Sequence, residues 1–462
     1  MLEMISLYLS SKTYQHRTLN FTFSVTGCAE PIDLFTKVNI ESLNKSIHIV
    51  EETVMEVNPA QLLENGYIIL PQVIPPKQLD HLRHSFETLV ERQKIVWAEE
   101  RNAEDPSGGV WETSAQPRVF FNEVVDQETD NTVRFCLHQN TLGVSQKLMS
   151  ATNAAVTLMA LMCNPVKDHG PASWHRDIDP VHQAPLNGMQ MDMIKNAPGY
   201  VQWNIPLYDD DVFWIVPGSH RRPNTTEEHQ HLLTRPQKPI PGGIPVELKA
   251  GDGVVYSHIM LHWGSNYSTK LRRTIHLGYR AFGSPVYPIV NHYYWQSDFA
   301  QKLSRSISDQ FTHFSQLHSA QCDLVESIFR AVETKKAGPF LEGIYTLHPG
   351  EEGRMVCLIF LSKLADKVRI LKQPETQKMS VKERTSAISE HRLNFYLFED
   401  FAQRFTVDEA NLIWQRFATL YELIQKETSR AVLDLSSRVE RYQLVNMPIN
   451  FNLSDFIQSW EN

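Results

Sequence analysis

His175 and Asp177, in the stretch Ser173-Trp174-His175-Arg176-Asp177, stand two residues apart. On an extended strand that spacing puts an imidazole and a carboxylate on one face. They are two of the three donors of a 2-His-1-carboxylate site for non-haem Fe(II). Alone, the pattern is weak, and a surface His and Asp is the ordinary reading. A second cluster supplies the missing chemistry far along the chain. It is His262-Trp263-Gly264-Ser265-Asn266, followed by Leu271-Arg272-Arg273. If the two clusters act together, the chain must fold so that two distant segments meet around one cup. No other feature of the sequence constrains the fold as much.

Composition narrows the class. The 462 residues are long enough to bury one large core or two medium ones. A formal net charge of −9 argues against a nucleic-acid partner, which usually meets a basic domain. No run of 18 apolar residues is present, so no transmembrane helix is expected. The five cysteines, Cys28, Cys136, Cys163, Cys322 and Cys357, are scattered and form no C-x-x-C. They read as free thiols in a reducing, cytoplasmic setting. Met1–Gly27 is rich in Ser and Thr and poor in acid, the bias of an organelle transit segment. The alternative is an extension or strand laid on the fold.

Along the chain, Pro59–Pro71 reads as a short helix, a Gly stop at Gly66 and a strand. A helix is expected from Pro75 to about Trp97, with Leu79, Leu82, Phe86, Leu89 and Val90 on one face. Arg118 lies on an apparent strand, where it is either a solvated residue or an anchor for an anionic substrate. Residues 132–150 look helical, and Val156–Cys163 reads as a buried strand. The loop Lys167–Pro171 leads into the His-x-Asp strand, which makes Lys167 and His169 candidate substrate contacts. Residues 178–199 show little period and read as a mobile cover. Tyr200–Leu207 is an expected strand, Tyr208–Asp211 a solvated acidic turn, and Pro223–Pro245 a Pro-rich loop. Val246–Tyr256 reads as strand, Gly-Asp turn, strand. His258 and His262 share strand parity, and either could be the distal donor. Arg272, Thr274 and His276 share one face, and Arg273 the other. From Tyr293 onward the period is helical. Leu303, Ile307, Phe311 and Phe314 fall on one stripe, and Thr406–Glu409 is a capping box opening a further helix.

The order H-x-D, distal His, then Arg resembles the Fe(II)/2-oxoglutarate oxygenases. The wording "helix, N-G-Y, strand" and Val216-Pro217-Gly218-Ser219-His220 are similar to their phytanoyl-CoA dioxygenase family. The resemblance covers about residues 57–290. It selects His262 over His258, makes His220 a motif residue and not a ligand, and places Arg272 at the family spacing from Asn266. The inserted Trp263, where the family has His-Gly directly, and the absence of a Gly near Asp211 depart from the pattern.

The resemblance implies an α+β protein. Its core is a double-stranded β-helix, a jelly roll of the cupin type, with flanking helices and an additional helical C-terminal domain. Residues 1–56 are then an N-terminal extension, 57–290 the oxygenase domain and 291–462 the helical domain. It implies Fe(II) on His175, Asp177 and His262, with 2-oxoglutarate and O2 as co-substrates. The far carboxylate of the keto acid sits on Arg272, whose planar fork suits a carboxylate. Trp203 lies near the keto acid in this alignment, although a core Trp is the ordinary alternative. Hydroxylation of a small, specialised metabolite is the expected reaction, with desaturation or ring closure as variants. The carboxylate at Asp177 disfavours chlorination, because chlorinating relatives lack it. Two other readings remain: a catalytically silent jelly-roll binding protein, and a cupin-like metalloenzyme independent of 2-oxoglutarate. The helical domain is a candidate dimer surface.

Overall fold

A computed structural model describes residues 55–177, 186–290, 293, 295, 298–380, 383–384, 399–430, 448 and 451–461. The N-terminal segment before these, including Cys28, lies outside the described residues. Among the described residues nine strands build two antiparallel sheets. They are β1 (Tyr67–Leu70), β2 (Arg118–Phe120), β3 (Ala154–Cys163), β4 (Tyr200–Pro206), β5 (Phe213–Ile215), β6 (Ile244–Pro245), β7 (Gly253–Tyr256), β8 (His262–Gly264) and β9 (Arg273–Ala281). The larger sheet has the order β1-β7-β4-β9-β3-β2 and the smaller β6-β5-β8. Helices of six residues or more are α1 (Pro59–Asn65), α2 (Pro76–Glu99), α3 (Asp130–Cys136), α4 (Leu186–Asn196), α5 (Thr226–Thr234), α6 (Arg305–Glu333), α7 (Ala337–Leu347), α8 (Glu351–Lys372), α9 (Val407–Arg430) and α10 (Leu453–Gln458).

Side chains alternate across each strand, so register decides what each face carries. In the larger sheet Ile275 pairs with Leu161 and Ile205, and Leu277 with Met159 and Trp203. This face joins Phe86, Leu89 and Val90 of α2 in the main apolar core. The opposite face carries the rows Arg118–Met162–Thr274 and Ala160–His276–Asn204, then Gln202–Tyr256. It looks toward the smaller sheet, and Tyr256 packs on Phe213 of β5 at 4.7 Å between ring centres. In the smaller sheet Ile215 pairs with His262 on the facing side, while Trp214 pairs with Trp263 on the other. Trp263 there stacks on Trp174 at 5.2 Å.

Gly66 closes α1 with φ +85°, a conformation that favours glycine. A Cβ at this position would also meet the His220 ring at 2.4 Å, so the P-G-S-H turn packs directly on the α1 terminus. Gly278 has a different reason. A Cβ there would fall 2.1 Å from the Tyr200 hydroxyl, so the missing side chain makes room for that phenol on the facing side of the sheet.

The C-terminal helices form a second apolar cluster around Val325, Ile328, Phe329, Leu358, Ile413 and Phe417. Helix α6 belongs to both cores: Ile307, Phe311 and Phe314 sit in the first, Val325 and Phe329 in the second. The capping box at Thr406 forms as expected, with Glu409 Oε2 accepting from Thr406 N and Glu409 N donating to Thr406 Oγ1.

Three local expectations are corrected. Residues 186–196, expected as part of a mobile cover, form helix α4. Leu186, Met189 and Met193 recur at helical spacing and pack on Val356 and Phe360 of α8. Residues 178–185 of that segment lie outside the described residues. The Pro-rich stretch 223–245 contains α5, opened by a capping box of Thr225 and Glu228. The signature Thr225-Thr226-Glu227-Glu228 stands in the sequence, but the surrounding prolines hide it. Residues 132–150 are not one helix but α3, a π-turn over Gln139–Gly143 and a final short turn of helix. Among the described residues Cys136, Cys163, Cys322 and Cys357 are free and buried, and no helix is long and apolar enough to cross a membrane.

Candidate metal centre

A two-residue bridge brings the separated clusters together. His175 N–H donates to the His262 carbonyl and His262 N–H to the His175 carbonyl, each at 2.9 Å. The reciprocal pair fixes both backbones side by side, and the two rings lie 4.3 Å apart. Asp177 is held by its N–H donating to the His258 carbonyl at 2.8 Å. His262 Nε2 stands 3.5 Å from Asp177 Oδ2, and His175 Nε2 3.5 Å from Oδ1.

The ring tautomers follow from partners. His175 Nδ1 lies 2.9 Å from the Ser173 carbonyl, and His262 Nδ1 lies 2.8 Å from the Met260 carbonyl. A carbonyl only accepts, so each Nδ1 carries the proton and each Nε2 turns a lone pair to the centre. His175, Asp177 and His262 thus offer three donor atoms within 4.8 Å of one another, and they are the one such group among the described residues. A cation about 2.1 Å from each nitrogen requires donors a few ångströms apart, as these are. Burial alone would push the Asp177 carboxyl up. The neighbouring imidazoles of His262 and then His175 oppose this and hold it well below the usual carboxylate range. The donor set fits a non-haem Fe(II) site with coordination positions left open.

The facing sides of the sheets line the surroundings. Tyr256 is buried with its ring 5.5 Å from that of His262. Burial, reinforced by the negative charge of Asp177, pushes its phenol well up, so it stays protonated. His276 is pushed down to about 3 by burial and then by the charge of Arg118, and is a neutral ring. Its Nδ1 faces Asn204 Oδ1 at 2.8 Å and the Trp203 carbonyl at 3.1 Å.

Arg272 is 9 % exposed and belongs to the same facing side. Its Nε donates to Asp210 Oδ2 at 2.7 Å, and Thr274 Oγ1 donates to the same oxygen. Arg272 Nη1 is buried and has no acceptor among the described residues. A buried N–H without a partner is costly, and a ligand carboxylate oxygen would satisfy it. From the sequence Asp210 is expected in a solvated acidic turn. It is instead 8 % exposed and braces Arg272. A run of three aspartates gives no sign that one turns inward.

Other expected site residues are placed elsewhere. Trp203 lies on the apolar side of the larger sheet, and its indole N–H donates to Ser145 Oγ at 2.9 Å within the core. Parity explains the correction: its neighbours Gln202 and Asn204 take the facing side. Arg273 is no surface or channel residue. It is buried and pairs with Glu87 of α2 at 3.0 Å. His258 sits in the turn after β7, outside any strand, and burial pushes it down to about 4. His220 hydrogen-bonds the Leu63 carbonyl at 2.9 Å through Nε2, bracing α1. Lys167 and His169 are exposed.

Residues 62–274 match the family model described as phytanoyl-CoA dioxygenase (PhyH). No curated protein sequence matches the chain. Among solved structures, the non-haem alpha-ketoglutarate-dependent epimerase SnoN from nogalamycin biosynthesis is 19% identical at a TM-score of 0.34, covering 49% of this chain and 80% of its own. AviO1 from Streptomyces viridochromogenes Tue57 is 22% identical at 0.35, covering 48% and 92%. EctD from S. alaskensis, solved with 2-oxoglutarate and 5-hydroxyectoine, is 16% identical at 0.37, covering 50% and 78%.

Proposed function

We propose that the chain is an Fe(II)- and 2-oxoglutarate-dependent oxygenase acting on a small, specialised metabolite. The observation that carries this reading is the convergence of His175, Asp177 and His262, with both Nε2 atoms and the carboxylate turned to one point. Iron, when bound there, supplies the activation of O2 coupled to decarboxylation of 2-oxoglutarate to succinate and CO2. The Ser173 and Met260 carbonyls keep each ring in its donor tautomer. Arg272 binds the far carboxylate of the keto acid through the side left free by Asp210, and Asp210 with Thr274 fixes the angle of the guanidinium. Tyr256, protonated and dry, presents a phenol O–H beside the ligands without competing as an anion. The apolar and aromatic walls from Phe213 and Ile215 limit water at the reacting carbon. The outcome is hydroxylation of the substrate, or desaturation or ring closure where the substrate geometry directs it.

In this reading the two facing sheets are a cupin-type jelly roll occupying residues 57–290, flanked by helices. Residues 291–462 are an additional helical domain and the candidate homodimer surface, in a protein of the cytoplasm. The shared helix α6 supports a bracing role for that domain, because it anchors one end in each core.

The test is succinate formation from 2-oxoglutarate by the full chain loaded anaerobically with Fe(II) and then given O2, with His175→Ala beside it. The expected result is succinate from the parent protein and less than about 1% of it from the variant. Iron retention without succinate would favour a binding protein. Activity that persists in Arg272→Gln without the keto acid would favour a 2-oxoglutarate-independent metalloenzyme.

A further inference from the structure

Three consecutive carbonyls in the turn after β7 carry the metal-ligand segments. The His258 carbonyl accepts from Asp177 N–H at 2.8 Å, the Ile259 carbonyl from Arg176 Nη1, and the Met260 carbonyl from His262 Nδ1 at 2.8 Å. A shift of this turn would move Asp177 and His262 together. The turn is backed by α4: Ile259 packs with Leu186, Met189 and Met193, and Ser257 Oγ donates to Met193 Sδ at 3.5 Å. Val356 and Phe360 of α8 complete the same apolar cluster. Helix α4 therefore lies between the turn and the C-terminal helices.

Asp192 of α4 is 5 % exposed, and two of its partners come from the C-terminal side. His348, at the end of α7, accepts from Gly350 N–H at Nδ1, 3.2 Å away. Nε2 then carries the proton and donates to Asp192 Oδ1 at 3.1 Å. The Tyr287 hydroxyl donates to Oδ2, and Asn196 Nδ2 to Oδ1 at 2.8 Å. The Tyr287 ring stacks on Phe360 at 5.2 Å and lies parallel to that of His348 at 6.1 Å. A Cβ at Gly353 would fall on the His348 ring, so the first turn of α8 has a glycine where the imidazole enters.

We propose that Asp192 and His348 form a clasp through which the C-terminal helices set α4 on the 257–260 turn, which makes them positioning residues for Asp177 and His262. What those ligands hold rests on the oxygenase reading above; the mechanical linkage does not. A stripe of leucine and methionines packs well in several offsets, because methionine adapts to its surroundings. A buried carboxylate with each oxygen hydrogen-bonded accepts one offset only, since any other leaves it unsatisfied. The clasp supplies the direction that the apolar contact lacks.

Two readouts on the full chain test this. One is backbone hydrogen exchange of the metal-free protein. The other is Co(II) loading, followed by the d–d absorption bands and by competition with Mn(II). In His348→Leu exchange over residues 186–196 and 257–262 should rise roughly 10-fold. The Co(II) bands should shift and the Mn(II) dissociation constant should rise roughly 10-fold. His348→Gln, which keeps an N–H near the Nε2 position, should return both readouts toward the parent. Phe456→Leu loosens the second core at Phe340 and Phe417 and should change neither. A folded His348→Leu protein with parent exchange and parent bands, a Phe456→Leu protein that moves both as far, or no recovery in His348→Gln would overturn the assignment. If His348→Leu does not fold, Tyr287→Phe removes one donor to Asp192 and keeps the stack. It should raise exchange over the same two segments by a smaller factor, and unchanged exchange there would overturn the clasp. If the parent protein takes up no metal, the oxygenase reading fails and hydrogen exchange alone decides the clasp.

Discussion

The two sides of the larger sheet are built from the same strands and have opposite chemistry. On one, Ile275, Leu277, Tyr279, Trp203 and Ile205 sink into a core with α2. On the other, Thr274, His276, Asn204, Tyr256 and Arg118 face the smaller sheet and the metal ligands. Adjacent residues in β4 and β9 therefore serve different ends. The sheet shows that apolar burial can hold a polar site rigid from behind, because one register fixes both faces at once. Arg272 and Arg273 are the sharpest instance: one chain step separates a ligand-facing guanidinium from one that ties the sheet to α2.

The largest expected effect breaks the facing side. Substituting His262 by Ala should lower succinate formation below about 1% of the parent value, with the fold retained by circular dichroism. Next, Arg272→Gln should raise the KM for 2-oxoglutarate roughly 10- to 100-fold, read by initial rates. Arg273→Met, one residue on, should behave oppositely. It leaves Glu87 without its cation and should cost about 1–3 kcal/mol in denaturant unfolding, while turnover per folded molecule stays near the parent's. If Arg273→Met and Arg272→Gln gave the same kinetic defect, the division between faces would be wrong.

A smaller effect is set by pH. His220 is held down at about 4 and His276 at about 3, both first by burial, against an ordinary value of 6.5. The folded state keeps both rings neutral while the unfolded chain protonates them below 6.5. Their contribution is therefore complete above pH 6.5 and declines as pH falls toward 4, by about 1.4 kcal/mol per pH unit for each ring. Urea midpoints between pH 7 and 4.5 check the sign. A midpoint that rises on acidification would contradict the burial of these rings.

Much of the site was legible because its chemistry is written in spacing. His175-x-Asp177, the His262 cluster and the same-face set Arg272, Thr274 and His276 all follow from period-two geometry. What stayed hidden depends on which way a strand turns and on long-range pairing. Trp203 reads the same on either face until the register with Leu277 is known. Asp210 looks like any turn acid until Arg272 is placed beside it. Helix α4 was hidden because its short apolar stripe, Leu186, Met189 and Met193, needs the partner α8 to be recognised as a packing face. The C-terminal helices showed their periodicity plainly, but not that α6 would straddle two cores.

The central claim is that three side chains from two distant segments hold one iron. The most direct measurement is anaerobic Fe(II) titration of the full chain and of His175→Ala, Asp177→Ala and His262→Ala, with bound metal quantified after desalting. The account predicts one iron per parent chain and its loss in each variant. Parent-level iron in any of the three variants, or none in the parent protein, would contradict it.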